Sequence, residues 1–121
     1  MKYFEPKEAI AKKIAEYKVE AFELNVDLFE NPEISGEEYE SSRKIVELLR
    51  GKGFETEYPF AGLDTAFKAV YGTDNHNYKI AIMTEYDALP EIGHACGHCL
   101  SAAISVLAGL ATKDLQDELN A

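Results

Sequence analysis

The sequence predicts an α/β fold made of two amino-terminal helices, about three strands and then a buried helix. Three observations carry that prediction. Apolar residues recur at helical spacing up to residue 51, short aromatic and β-branched runs fill 54–83, and a small-residue apolar run occupies 100–111.

From Pro6 onward, Ile10, Ile14, Tyr17, Ala21, Leu24 and Leu28 recur at steps of three and four, which marks one face of an amphipathic helix. Lys12, Lys13, Glu16, Glu20 and Glu23 form its solvated side. The helix ends at Asn31-Pro32, because a residue before proline is pushed out of the helical region. Ser35-Gly36-Glu37-Glu38 has the form of a capping box that opens a second helix. Ile45, Val46, Leu48 and Leu49 are its buried stripe, and Gly51 with Gly53 stops it.

The period then changes. Residues 54–60 and 65–71 read as a strand pair joined through Ala61-Gly62-Leu63-Asp64, and 78–83 as a more buried strand. The run from Leu100 to Ala111 is apolar on nearly every side, so the helix it forms must pack between other elements. A small exposed domain covers such a helix poorly, and the chain is therefore expected either to form a homo-oligomer or to be the first part of something larger. The last stretch, 113–121, is polar and offers no further strand.

The totals narrow the function. At 121 residues and 46% apolar content, one domain is the default. A net charge of -10 without a basic patch argues against nucleic acid and anionic membranes as partners. No apolar run approaches the ~20 residues that span a bilayer, and the charged amino terminus is unlike a secretory signal, so a cytoplasmic location is expected. Tyr3, Tyr17, Tyr39 and Tyr58 read as half-buried or surface aromatics, and His76 as an exposed turn residue.

The chemistry is concentrated between Thr84 and Cys99, which holds two of the three histidines and both cysteines at a strand-to-helix junction. With glycine at position 97, Cys96 and His98 can converge on one ion, and thiolate with imidazole suits zinc or a similar transition metal. Glu85 and Asp87, two residues apart, place both carboxylates on one side, where they can ligate or hold an imidazole in one tautomer. His94 adds a further imidazole. A competing reading takes Cys96-Gly97-His98-Cys99 as a C-x-x-C redox dithiol. That motif resembles the one in protein disulfide isomerases, but Ala95 stands where those domains carry an aromatic, and the 22 residues after Cys99 include no proline.

The wider string, Glu85-Tyr86-Asp87-Ala88-Leu89-Pro90 followed by Gly93-His94-Ala95-Cys96-Gly97-His98 and an alanine-rich helix, closely resembles the amidohydrolase branch of the aminoacylase/carboxypeptidase metallopeptidases. That branch includes aminobenzoyl-glutamate hydrolase-like and dipeptidase-like members. Asn31-Pro32-Glu33-Ile34-Ser35 with Glu37-Glu38-Tyr39 is similar to the family's first helix-helix connection, so the resemblance runs to about residue 112.

The resemblance implies that residues 1–121 are the amino-terminal part of a three-layer-type catalytic domain. It further implies that Cys96 and His98 are ligands of a co-catalytic pair of divalent metals, zinc or manganese, and that Asp87 is the aspartate orienting a metal-binding residue. The substrate would be a small N-acyl amino acid or dipeptide-like amide, hydrolysed by metal-activated water with a glutamate as base. The chain departs from the family pattern at Cys99, where aspartate or asparagine is usual. The family's Glu-Glu pair and its remaining ligands find no match here, since Glu37-Glu38 belongs to the second helix. The expectation is that this polypeptide alone binds metal weakly and hydrolyses little or nothing. A non-catalytic oligomerising fragment is the remaining alternative.

Overall fold

The structure, a computed structural model, describes residues 5–121, so Tyr3 lies outside the described residues. Helix α1 runs Pro6–Glu30, α2 Tyr39–Gly51 and α3 His98–Lys113, with a short α4 at Gln116–Leu119. Pro6 stands in the first turn of α1, where its missing N–H would have had no partner, and the Glu5 carboxylate accepts from Lys7 N at 3.4 Å. At the other end the Asn31 side chain donates to the Asp27 carbonyl at 2.9 Å before Pro32 stops the helix. Helix α1 therefore falls where the periodicity puts it, and the buried stripe of Ile45, Val46 and Leu49 lies within α2 as expected.

The core is a seam between helices. Leu24 and Leu28 of α1, Ile45 and Leu49 of α2, and Cys99, Ala102, Val106 and Leu110 of α3 form one buried cluster. Small residues on α3 let α1 lie close along it, which is why that helix is so rich in alanine. Only one side of α3 is sealed in this way: Leu100 and Ile104 are exposed. The expectation that α3 is enclosed on nearly all sides is thus half met.

Strand β1 (Glu55–Glu57) pairs antiparallel with β2 (Lys68–Val70), Thr56 lying opposite Ala69. Phe54, Phe67 and Ala69 pack their partly buried side chains on the helical core, so this ribbon is anchored by one face. Gly53, at φ 93, provides the turn between α2 and β1 that a side chain would strain.

Three expectations are corrected here. The sheet has two strands and not three: residues 78–87 run without turn or bend, yet none is a strand, and 78–83 is exposed and not buried. A strand exists only by pairing. Among the described residues no backbone N–H from 79 to 87 donates to another backbone carbonyl, so an apolar run of the right composition stays single. The described residues give helices with a two-stranded ribbon, consistent with part of an α/β fold.

The second correction concerns the start of α2. Ser35 is exposed and makes no cap; the helix begins four residues later, and the Glu33 carboxylate receives Glu40 N at 3.1 Å, Ser41 N at 2.5 Å and Ser41 Oγ at 2.6 Å. Glu38 is buried, accepting from Gly36 N at 2.8 Å and Thr65 Oγ1 at 2.6 Å. The carboxylate that caps α2 thus comes from upstream of the expected box. His76 also departs from expectation, being largely covered and placed with Nε2 3.0 Å from Asp117 Oδ1. No helix among the described residues is long and apolar enough to cross a membrane.

Candidate functional site

The loop from Thr84 to Cys99 is held at three points. Ala88 N donates to the Glu33 carbonyl at 2.7 Å, and Ala88 forms an isolated parallel bridge with Ile34, which ties the loop to the α1–α2 connection. Leu89 and Gly93 exchange backbone hydrogen bonds at 2.9 and 3.2 Å, closing a tight turn over Pro90, Glu91 and Ile92. Gly97, at φ 76, then donates to the His94 carbonyl at 3.0 Å and serves as the N-cap of α3. His98 is consequently the first residue of α3, fixed by the helix on one side and by the loop on the other.

This placement brings His98 and Asp87 together. His98 Nδ1 lies 2.7 Å from Asp87 Oδ1 and 3.1 Å from the Asp87 carbonyl. A carbonyl and a carboxylate only accept, so Nδ1 carries the proton and Nε2 is left as the outward nitrogen. The Glu85 carboxylate flanks that nitrogen, with Oε2 3.4 Å from Nε2. The hydrogen bond to Asp87 is the main reason the His98 pKa is raised above its ordinary value; partial burial opposes it, and the Asp87 and Glu85 charges reinforce it. An imidazole locked at Nδ1 by a carboxylate, with Nε2 turned away from it, is the arrangement that orients a metal-ligating histidine.

The other residues of the motif are placed differently. Cys96 is exposed with a free thiol, and Cys99 is a free thiol buried in the apolar core beside α1 and α2. Cys99 thus behaves as a small hydrophobe in the core. His94 does not join the cluster either: it is buried, and neither ring nitrogen has a hydrogen-bond partner among the described residues. Burial is the first cause of its lowered pKa, with the His98 charge adding to it, while the Leu28 carbonyl, near but outside hydrogen-bonding geometry, and Asp87 pull the other way. A neutral imidazole packed under the loop is what these surroundings favour.

Two contributors escape a reading of the motif alone. Glu33, six residues before the first residue of α2, supplies both the cap and the carbonyl that fixes Ala88, next to Asp87. Tyr86 donates its hydroxyl to the Thr65 carbonyl and stacks on Phe67 with ring centroids 5.9 Å apart, tying the loop to the strand ribbon. Burial, with the Glu38 charge, pushes the Tyr86 pKa up to about 12, so it remains a donor at neutral pH. Only the Asn31-to-Tyr39 likeness hinted that Glu33 mattered.

As a metal site the loop is partial. A catalytic zinc takes about three protein ligands plus water. Among the described residues no three His, Cys, Asp or Glu side chains converge closely enough to hold an ion. The donor set does fit one part of such a centre, a carboxylate-oriented imidazole with a second carboxylate beside it.

Comparison with known proteins bears on what that part belongs to. No family model matches the chain. It is 38% identical to mouse (Mus musculus) Xaa-Arg dipeptidase over 100 residues, covering 72% of this chain and 22% of that protein. The human (Homo sapiens) Xaa-Arg dipeptidase is 31% identical over 106 residues, covering 74% and 23% respectively. Thermostable carboxypeptidase 2 of Saccharolobus solfataricus (strain ATCC 35092 / DSM 1617 / JCM 11322 / P2) is 33% identical over 85 residues, covering 59% and 21%. This chain resembles peptidases. The likeness supports a peptidase family without singling out its amidohydrolase branch, and the chain spans about a fifth of the length of these curated relatives.

Proposed function

We propose that this chain carries the first part of a divalent-metal centre, zinc or manganese, of a hydrolase that cleaves the amide bond of a dipeptide-like or N-acyl amino acid substrate. The observation that carries the proposal is the 2.7 Å contact between Asp87 and His98 Nδ1, found in a chain whose relatives bear peptidase names. His98 offers Nε2 to the ion, Asp87 holds the ring in that tautomer, and the exposed Cys96 supplies a thiolate from the adjoining turn. When bound, the metal would polarise the amide carbonyl and lower the pKa of a coordinated water. Among the described residues this chain lacks a full ligand set, and alone it is expected to bind metal weakly and to hydrolyse little.

The test is a metal titration of the purified chain beside Cys96→Ser and His98→Ala, followed by cobalt absorption and by total metal analysis. Both variants should hold less metal than the parent; equal loading in all three would refute the ligand assignment. Activity is assayed separately on a dipeptide with carboxy-terminal arginine, taken from the relatives' names. Rapid turnover by the 121-residue chain would refute the view that its site is partial.

A further inference from the structure

Helix α1 carries a second apolar stripe that its buried face does not explain. Val19, Phe22, Val26 and Phe29 follow one another at steps of three, four and three, and at 100° per residue they lie on one side of the helix. Ala21, Leu24 and Leu28, which pack in the core, point the opposite way. Val19, Phe22 and Phe29 are 61%, 66% and 62% exposed, and Val26 is half-buried between them along an open groove with Phe22, Glu23 and Glu30. Two phenylalanines this exposed on one helix face are a surface awaiting cover.

Spacing and flanking charge identify the cover. The four residues occupy a and d positions of two heptads, with Ala15 at the preceding d. Lys18 then falls at g, and Glu16, Glu23 and Glu30 at e. Neither Lys18 nor Glu23 makes an ion pair among the described residues, whereas their neighbours Lys13, Glu20 and Asp27 are each paired, with Glu16, Lys52 and Lys44. If two copies of α1 run parallel and in register, each Lys18 faces the other copy's Glu23, twice by symmetry. An antiparallel pair would set Glu23 against Glu23 and Glu16 against Glu30. We infer that α1 pairs with α1 of a second copy of this chain, parallel and in register, through Val19, Phe22, Val26 and Phe29.

This interface is distinct from the last helix, which the sequence offers as the oligomerising surface; most of the apolar side chains of α3 are already buried. It also leaves the loop around His98 clear, because that loop packs beside the opposite face of α1, near Leu28. The seam is only two heptads long, so association depends on concentration.

Sedimentation equilibrium of the full chain from about 5 to about 500 µM tests the inference, the range bracketing the weak affinity a short seam supports. A monomer–dimer equilibrium is expected. Phe22→Asp should leave the chain monomeric throughout with an unchanged far-ultraviolet spectrum, since Phe22 is exposed in the folded monomer. Lys18→Glu should weaken the dimer about tenfold, two attractive pairs becoming repulsive, and adding Glu23→Lys should restore it. Under oxidation Val26→Cys in a Cys96→Ser background should crosslink as a dimer, because the parallel register sets position 26 against itself. A monomer at every concentration, self-association that survives Phe22→Asp, a charge swap that fails to restore, or an absent crosslink would each overturn the proposal.

Discussion

Replacing Glu33 with alanine is the sharpest test of how the loop is held, because three hydrogen bonds converge on that carboxylate and its carbonyl receives a fourth. Two of the three are the backbone N–H groups of Glu40 and Ser41, which the start of α2 would otherwise leave without partners. Losing such a cap costs about 1–2 kcal/mol. The third is the Ser41 hydroxyl, which is 1% exposed and would be stranded in the interior, at a further ~1–2 kcal/mol. The sum, about 2–4 kcal/mol, corresponds to a fall in Tm of roughly 8–15 °C for a chain of this size. Ser35→Ala is the matched control. Ser35 is exposed and makes no side-chain hydrogen bond among the described residues, so its removal should change stability by less than about 0.5 kcal/mol. Thermal unfolding followed by circular dichroism measures both. A greater loss from Ser35→Ala than from Glu33→Ala, the outcome a Ser35–Glu38 capping box demands, or a Glu33→Ala chain within about 0.5 kcal/mol of the parent, would refute the Glu33 cap.

Three further outcomes are expected. Asp87→Asn should lower the His98 pKa toward its ordinary value and weaken metal binding about 10- to 100-fold, as loss of an orienting carboxylate does; NMR titration of the ring and a metal titration read the two effects. The histidines should pull pH-dependent stability in opposite directions. His98, with its pKa raised by Asp87, contributes stability that is complete below the unfolded-state value and lost as pH rises through its own. His94, with its pKa lowered by burial, favours the fold above the unfolded-state value, and that advantage shrinks as pH falls below it. Denaturant unfolding of His94→Gln and Asp87→Asn from pH 5 to 8, a range that spans the free imidazole's pKa of about 6.5, should show the acid-side loss reduced in the first variant and the acid-side gain reduced in the second. Leu28→Ala, at a side chain with no exposed surface between α1, α2 and α3, should cost about 3–5 kcal/mol, measured by the same method.

The helices were legible because helical periodicity is a property of one segment by itself. Pro6, Asn31-Pro32 and the stripe of Ala21, Leu24 and Leu28 set the limits and inner face of α1, and Ile45, Val46 and Leu49 did the same for α2. Where structure depends on a distant partner, local pattern misled. Residues 78–83 have strand composition but no strand to pair with, and the cap of α2 arrives from Glu33 when a nearer serine offers the familiar motif. The outer stripe of α1 is hidden in the sequence because one amphipathic face already accounts for a helix. In the candidate site, Asp87 and His98 were legible as chemistry and meet in space, whereas His94, grouped with them by proximity in sequence, turns out to be a packed imidazole beneath the loop. Cys96 is exposed on the turn before α3, apart from the Asp87–His98 contact.

The bare run from 79 to 87 has a consequence for handling the protein. Ile80, Ile82 and Met83 are exposed on a straight segment whose amides have no backbone acceptors, and Lys79 and Glu85 carry the only charges before Asp87. Such an edge can template endless stacking between chains, which, unlike a closed pair of helices, never terminates. The counterweight is mutual repulsion from a net charge of -10, and it vanishes near the isoelectric point of 4.7. Acidification should therefore drive the chain out of solution as fibrous or amorphous aggregate before it unfolds. A lysine in place of Ile82 should keep it dispersed.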